Sequence, residues 1–197
     1  IDVTTGPLGE GVATAVGMSM AGKYLESYYS DKKSSLFDYY VYAMVSDGDL
    51  MEGVSYEAAC LAAQYQLDNL ILLYDCNGVS LDGEIDENYI DSIANVYADI
   101  GFATYYVKNG ESVKEINKAI NAAKRASGPA IVIVNTTIGK YSKYEGTNKI
   151  HGTLENDDYL EIKKELGHEE KWEYDKNNTK YNLTDFDKKE IFSNLIR

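Results

Sequence analysis

The sequence predicts an α/β protein: a doubly wound, mostly parallel sheet with helices on both faces. Three observations carry that prediction. Short apolar runs alternate with helical patterns, the arrangement of βαβ units. Two of the runs, Asn69–Tyr74 and Ala130–Asn135, are almost continuously apolar, as strands buried on both faces are. Turn residues punctuate the runs at Asp47-Gly48-Asp49, Asp75-Cys76-Asn77-Gly78 and Gly128-Pro129.

Taken in order, Gly9 to about Tyr29 reads as a helix. Gly9, Ala13, Gly17 and Ala21 recur every fourth residue, so one stripe of it carries almost no side chain. That stripe suits either close packing on the domain's own sheet or contact with a second domain or subunit. After the polar stretch 30–35, Tyr39–Val45 is β-rich and stops at Ser46-Asp47-Gly48-Asp49. Gly53–Gln66 is helical, with Ala58, Ala59, Ala62 and Ala63 supplying propensity and a small apolar face. The strand Asn69–Tyr74 follows, then a helix around Asp86–Ile100, a strand Ala103–Val107 and a helix Ser112–Ala126 closed by Gly128-Pro129. Ala130–Asn135 is the last strand, 136–152 a polar Gly-containing loop, and Asp157–Leu166 a helix. Residues 167–197 are highly charged and poorly periodic, which suits a connector.

Charge narrows the chemistry. The 197 residues carry 32 Asp and Glu against 19 Lys and Arg, a formal net charge of −13. That balance argues against nucleic-acid binding, which needs basic surface to neutralise phosphates. No stretch approaches the roughly 20 consecutive apolar residues of a membrane span, so no membrane partner is expected. Cys60 and Cys76 have neither metal-ligand spacing nor the number for a disulfide framework, and suit a reducing cytoplasm. Between Lys33 and Lys108 there is no Lys or Arg, yet 13 acidic residues. A phosphate bound by this stretch must be held by a metal ion or by backbone amides.

In an open parallel sheet, ligands bind beyond the carboxyl ends of the strands, near the reversal of strand order. That rule selects the loops Asp47–Gly53 and Asp75–Gly83, which follow consecutive strands and so can be spatial neighbours. Asp47 and Asn77 offer a carboxylate and an amide oxygen, hard ligands suited to Mg²⁺ or Ca²⁺. Two protein ligands hold Mg²⁺ weakly, so a phosphate-bearing ligand is expected to complete the octahedron. Gly48 lets the backbone approach that ligand. Taken alone, Asp47-Gly48-Asp49 is equally compatible with turn and helix-cap duty.

The constellation is more specific than its parts. It comprises Asp47-Gly48-Asp49-Leu50-Met51-Glu52-Gly53-Val54-Ser55-Tyr56-Glu57-Ala58, Leu67-Asp68-Asn69-Leu70, Tyr74-Asp75-Cys76-Asn77 and Asp82-Gly83. Thr4-Thr5-Gly6-Pro7-Leu8-Gly9 precedes it, and Thr136-Thr137-Ile138-Gly139 with His151-Gly152 follows. In order and spacing, from Thr4 to about Leu166, this closely resembles the transketolase family and its thiamine diphosphate-binding fold. The resemblance implies that 1–166 is most of a diphosphate-type domain lacking its N-terminal part. It implies too that 167–197 leads toward a pyrimidine-binding domain outside this chain. A chain that reaches its Gly-rich segment within six residues of Ile1 is expected to be part of something longer.

Carried over residue by residue, the resemblance makes Asp47, Asn77 and the Val79 backbone carbonyl ligands of Mg²⁺ or Ca²⁺. Gly48 and Asn77 become diphosphate contacts, and Gly6, Pro7 and Leu8 the loop against the cofactor's rings. Glu52 and Glu57 resemble carboxylates between the two cofactor sites of a homodimer whose active sites lie at the subunit interface. His151 resembles the histidine that contacts both diphosphate and donor, the one catalytic residue within this chain; His168 has no such counterpart. The implied activity is transfer of a two-carbon ketol unit from a ketose phosphate to an aldose phosphate. It uses thiamine diphosphate, in the cytoplasmic pentose phosphate pathway. The chain alone is expected to be inactive, since the activating glutamate and the sugar-phosphate arginines would lie elsewhere. A non-catalytic subunit of a split enzyme and a dihydroxyacetone synthase-like relative are the alternatives.

Two positions depart from the family pattern. Ser46 stands where a first glycine is frequent, and Tyr141 where glycine is common in the Ile138–Ser142 loop. A haloacid-dehalogenase-like phosphotransferase also fits Asp47-x-Asp49 after a strand. That chemistry expects a downstream lysine, and none occurs before Lys108.

Overall fold

The computed structural model describes residues 1–30, 35–80, 83–84, 87–152 and 155–167. One compact unit covers Ile1–Ile162 and a second Lys163–Arg197; of the second, only 163–167 are described. The first unit is built on four parallel strands, β1 (Val41–Val45), β2 (Leu70–Cys76), β5 (Ala103–Val107) and β6 (Ala130–Asn135), in the order β1-β2-β6-β5. A two-residue antiparallel arm, β3 (Val79–Ser80) with β4 (Gly83–Glu84), follows β2.

The helices are α1 (Glu10–Tyr29), α2 (Asp47–Met51), α3 (Gly53–Gln64), α4 (Glu87–Ile100), α5 (Val113–Ala123) and α6 (Asn156–Glu165). Alternation along β2 divides the interior. Leu70, Leu72, Tyr74 and Cys76 pack with Val12 and Val16 of α1, Ala59 and Ala62 of α3 and Tyr97 of α4. Ile71 packs on the opposite face with Val132 of β6 and with Ala119 and Ala123 of α5. Helices therefore cover both faces, as expected. On the α5 side of β1, Tyr42 and Met44 are exposed.

Differences from the sequence reading are local. β1 begins at Val41 rather than Tyr39. β2 continues through Asp75 to Cys76, paired with Val134 and Asn135 of β6. Residues 47–51 form a helical turn where a loop is predicted, and the β3–β4 arm has no counterpart in the prediction. The small-residue stripe of α1 does not pack on the sheet along its length. Gly17 and Ala21 face outward, while Val12, Ala15, Val16 and Ser19 are buried. Among the described residues, no helix is long and apolar enough to cross a membrane.

Candidate functional site

β1 and β2 are parallel neighbours, with Val45 opposite Tyr74. Their carboxyl ends therefore deliver Asp47, two residues past Val45, and Asn77, three past Tyr74, to the same edge of the sheet. The reversal of strand order lies elsewhere: the chain winds from β1 through β2 to β5 and turns back at β6. The candidate site occupies the β1–β2 strand ends without lying at that reversal.

Ser46 and Asp49 give α2 its shape. Asp49 Oδ2 accepts from the Ser46 backbone N–H at 2.9 Å and from the Ser46 hydroxyl at 2.8 Å. Asp49 is thus a helix-capping residue, and it also ties in the N-terminal loop, since Gly9 N–H donates to Asp49 Oδ1 at 3.2 Å. Gly9 has φ of 81° and sits so close to α3 that a Cβ there would lie 2.7 Å from Val54 Cγ1. The same docking brings Leu8 over Gly48, where a Cβ would lie 3.2 Å from Leu8 Cδ1. Leu8 and Gly48 therefore meet, with Leu8 half exposed.

Asp47 differs from Asp49 in kind. It is 2% exposed. Its Oδ1 accepts from the hydroxyl of Tyr74, whose ring is fully buried. Its Oδ2 is buried with no hydrogen-bond partner among the described residues. Burial pushes the Asp47 carboxyl above the usual carboxylate range; the Tyr74 hydroxyl opposes that rise and the charge of Asp75 adds to it. Burial, with the Asp47 carboxylate adding, likewise raises the Tyr74 phenol, and burial raises the Cys76 thiol. The described ion pairs, Lys23–Asp68, Lys140 with Glu111 and Glu145, and Lys143–Glu155, all lie elsewhere.

Asn77 is held from two sides. Its Nδ2 donates to Asp75 Oδ2 at 3.2 Å, and its Oδ1 accepts from Val79 N–H at 3.0 Å. Asp75 is anchored in turn by the hydroxyl of Thr136, at the end of β6. The amide nitrogen is thereby committed to a carboxylate, and the amide oxygen keeps a second lone pair beside its bond to Val79. Val79 is buried at the start of β3, and α2 packs against this arm.

A buried carboxylate with one oxygen unpartnered fits a bound cation, because an uncompensated buried charge is costly. The donor set, one carboxylate and one amide oxygen, is hard and suits Mg²⁺ or Ca²⁺. Among the described residues no three His, Cys, Asp or Glu side chains converge as a protein-only metal cage. Backbone carbonyls and a phosphate-bearing ligand are further sources of oxygen.

The other predicted residues lie nearer the surface. Glu52 joins α2 to α3 and is exposed, as is Glu57. His151 follows a 3-10 turn at Asn148–Ile150 and is exposed. That turn is seated on Gly139, whose Cβ position lies 2.4 Å from Ile150 Cγ1. Tyr141 has φ of 69°, so the position where glycine is common does require left-handed backbone, and here tyrosine adopts it. Asp158 holds this loop from α6, accepting from Ser142 Oγ at 2.5 Å and from Lys143 N–H at 3.2 Å. His168 lies outside the described residues. Sequence reasoning missed Tyr74, Asp75 and Thr136 as the groups behind the two candidate ligands. The available signal was a tyrosine at the buried end of an apolar strand, where the hydroxyl needs a partner.

The family described as transketolase, thiamine diphosphate binding domain, matches residues 1–191. The chain belongs to the transketolase family. A transketolase of Staphylococcus aureus is 42% identical over 153 residues, which is 77% of this chain and 23% of that protein. Among solved structures, transketolase from Leishmania mexicana superposes with a TM-score of 0.78 at 35% identity. That match covers 89% of this chain and 27% of the other. A transketolase of Pichia stipitis in complex with sedoheptulose-7-phosphate gives a TM-score of 0.79 at 36% identity, covering 84% and 25% of the two chains. The chain thus spans about a quarter of the length of these transketolases. Its family identity makes the α/β unit a thiamine diphosphate-binding domain.

Proposed function

We propose that Asp47, Asn77 and the carbonyl of Val79 hold a divalent cation, Mg²⁺ or Ca²⁺, that carries the diphosphate of thiamine diphosphate. The observation that supports this most is the buried Oδ2 of Asp47, which has no partner among the described residues. With no Lys or Arg between Lys33 and Lys108, a cation is what lets this acidic edge accept an anion. Gly48 keeps side-chain bulk away from the diphosphate, and Leu8 with Gly6-Pro7 forms an apolar wall suited to the cofactor's rings.

When bound, thiamine diphosphate supplies the electron sink for breaking and making a carbon–carbon bond next to a carbonyl. This chain's residues would anchor and orient it, and His151 on its exposed loop would contact donor and diphosphate. The activity we infer for the polypeptide carrying this domain is two-carbon ketol transfer between sugar phosphates, in the cytoplasm and in the pentose phosphate pathway. We place its active sites at a homodimer interface, with a pyrimidine-binding domain completing each. We assign residues 1–166 to most of the diphosphate-type domain.

Ketol transfer is assayed with a ketose phosphate donor, an aldose phosphate acceptor, thiamine diphosphate and Mg²⁺. The polypeptide that carries the domain should turn over, and the 197 residues alone should not. Cofactor binding without transfer in the longer polypeptide would point instead to a non-catalytic cofactor-binding module.

A further inference from the structure

We propose that Tyr74 is a positioning residue for the cation. Its hydroxyl occupies Asp47 Oδ1, so that Asp47 offers a single oxygen, Oδ2, and the site favours the smaller, octahedral Mg²⁺ over Ca²⁺. This inference rests on Asp47 being a metal ligand.

The geometry behind it is specific. Tyr74 is fully buried within β2 and belongs to the sheet core through its ring, so its hydroxyl has little freedom to move. Asp47 is buried at the end of the neighbouring strand, with one oxygen bonded to that hydroxyl and the other unpartnered among the described residues. A carboxylate in free rotation can chelate with both oxygens, a mode Ca²⁺ accommodates with its six to eight flexible ligands. Mg²⁺ demands near-ideal octahedral geometry, which a two-oxygen carboxylate with its narrow bite disturbs. Fixing one oxygen on a core tyrosine removes that mode. Asn77 has a single amide oxygen to offer, and Asp75, itself held by Thr136, fixes its nitrogen. Both candidate ligands are thus single-oxygen donors held by groups anchored in β2 and β6.

The experiment titrates Mg²⁺ and Ca²⁺ separately by calorimetry into the polypeptide that carries this domain, with thiamine diphosphate present, for wild type, Tyr74→Phe and Asp47→Ala. Hydrogen-bond partners behind metal ligands are typically worth about 10–100-fold in metal affinity. Tyr74→Phe is expected to weaken Mg²⁺ by about tenfold and Ca²⁺ much less, moving the Mg²⁺/Ca²⁺ preference by about tenfold toward Ca²⁺. A purely structural loss would weaken both cations alike. Asp47→Ala is expected to remove cation binding. If Asp47→Ala binds as wild type does, the metal site itself is wrong. If Asp47→Ala loses the cation and Tyr74→Phe keeps the wild-type preference, the metal site stands and the role of Tyr74 is refuted. Infrared difference spectra of the wild type, with and without Mg²⁺, test the same point without relying on the Phe variant folding. The Asp47 bands, assigned by their loss in Asp47→Ala, should show the wide carboxylate splitting of one-oxygen ligation. The narrow splitting of chelation would overturn the proposal.

Discussion

Replacing Asp47 with asparagine should reverse the stability order of two proteins according to whether cation and cofactor are present. Without them, Asp47 buries a charge whose Oδ2 has no partner among the described residues. Asparagine keeps an oxygen for the Tyr74 hydroxyl and replaces the charged oxygen with a neutral amide. An unsatisfied buried group costs about 1–3 kcal/mol, and a charged one more, so removing the charge should gain at least about 1 kcal/mol. For a chain of this size that is about 2–4 °C in melting temperature. The pH dependence follows from the raised carboxyl of Asp47. A group raised by folding contributes stability below its unfolded pKa, about 3.9 for Asp. That contribution is lost as pH rises through the folded value. Metal-free wild type should therefore lose stability relative to Asp47→Asn as pH climbs out of the acid range. With Mg²⁺ and thiamine diphosphate at about a hundred times their dissociation constants, wild type gains about 2.7 kcal/mol, or roughly 5–10 °C, and the variant gains little. Thermal melts of both proteins, with EDTA or with Mg²⁺ and cofactor, read the crossing. An Asp47→Asn protein less stable than wild type in EDTA, or one that gains the same shift on loading, would refute the reasoning.

Other substitutions probe the frame around that carboxylate. Asn77→Ala should raise the Mg²⁺ and cofactor concentrations for half-saturation by about 10–100-fold, read by calorimetry, through loss of an oxygen ligand. Gly9→Ala forces a Cβ to within 2.7 Å of Val54 Cγ1 at φ of 81°. It should lower unfolding stability by about 2–4 kcal/mol in urea titrations. Tyr141→Gly relieves a non-glycine residue at φ of 69° and should raise stability by about 0.5–1 kcal/mol after glycine's greater unfolded-state freedom is counted. His151→Ala, in the polypeptide that carries the domain, should lower turnover on the order of 10²-fold with cofactor affinity largely kept.

Most of the architecture was legible because apolar runs and turn residues mark strand ends well. The apolar character of Leu70–Tyr74 and Ala130–Val134 came from burial on both faces, and the structure pairs them as central strands. β2 extends past the predicted stop because Asp75 is not left bare: Thr136 and the Asn77 amide satisfy it, a long-range fact no local pattern carries. The helical turn α2 escaped because Asp47-Gly48-Asp49 reads as turn chemistry, whereas Ser46 and Asp49 cap a short helix there. The β3–β4 arm is too short for any periodicity. At the candidate site, sequence could bring Asp47 and Asn77 to one edge through consecutive parallel strands. It could not separate the buried Asp47 from the capping Asp49 two residues on. That distinction depends on which carboxylate meets Tyr74, a residue on the neighbouring strand and 27 positions from Asp47.

The central claim is that a divalent cation held by Asp47 and Asn77 carries the diphosphate. Its most direct test is calorimetric titration of thiamine diphosphate into the polypeptide that carries the domain, in EDTA and in saturating Mg²⁺, for wild type and Asp47→Ala. The account predicts affinity that rises steeply with Mg²⁺ in wild type and no metal response in the variant. Equal wild-type affinity with and without Mg²⁺, or an undiminished metal response in Asp47→Ala, would contradict it.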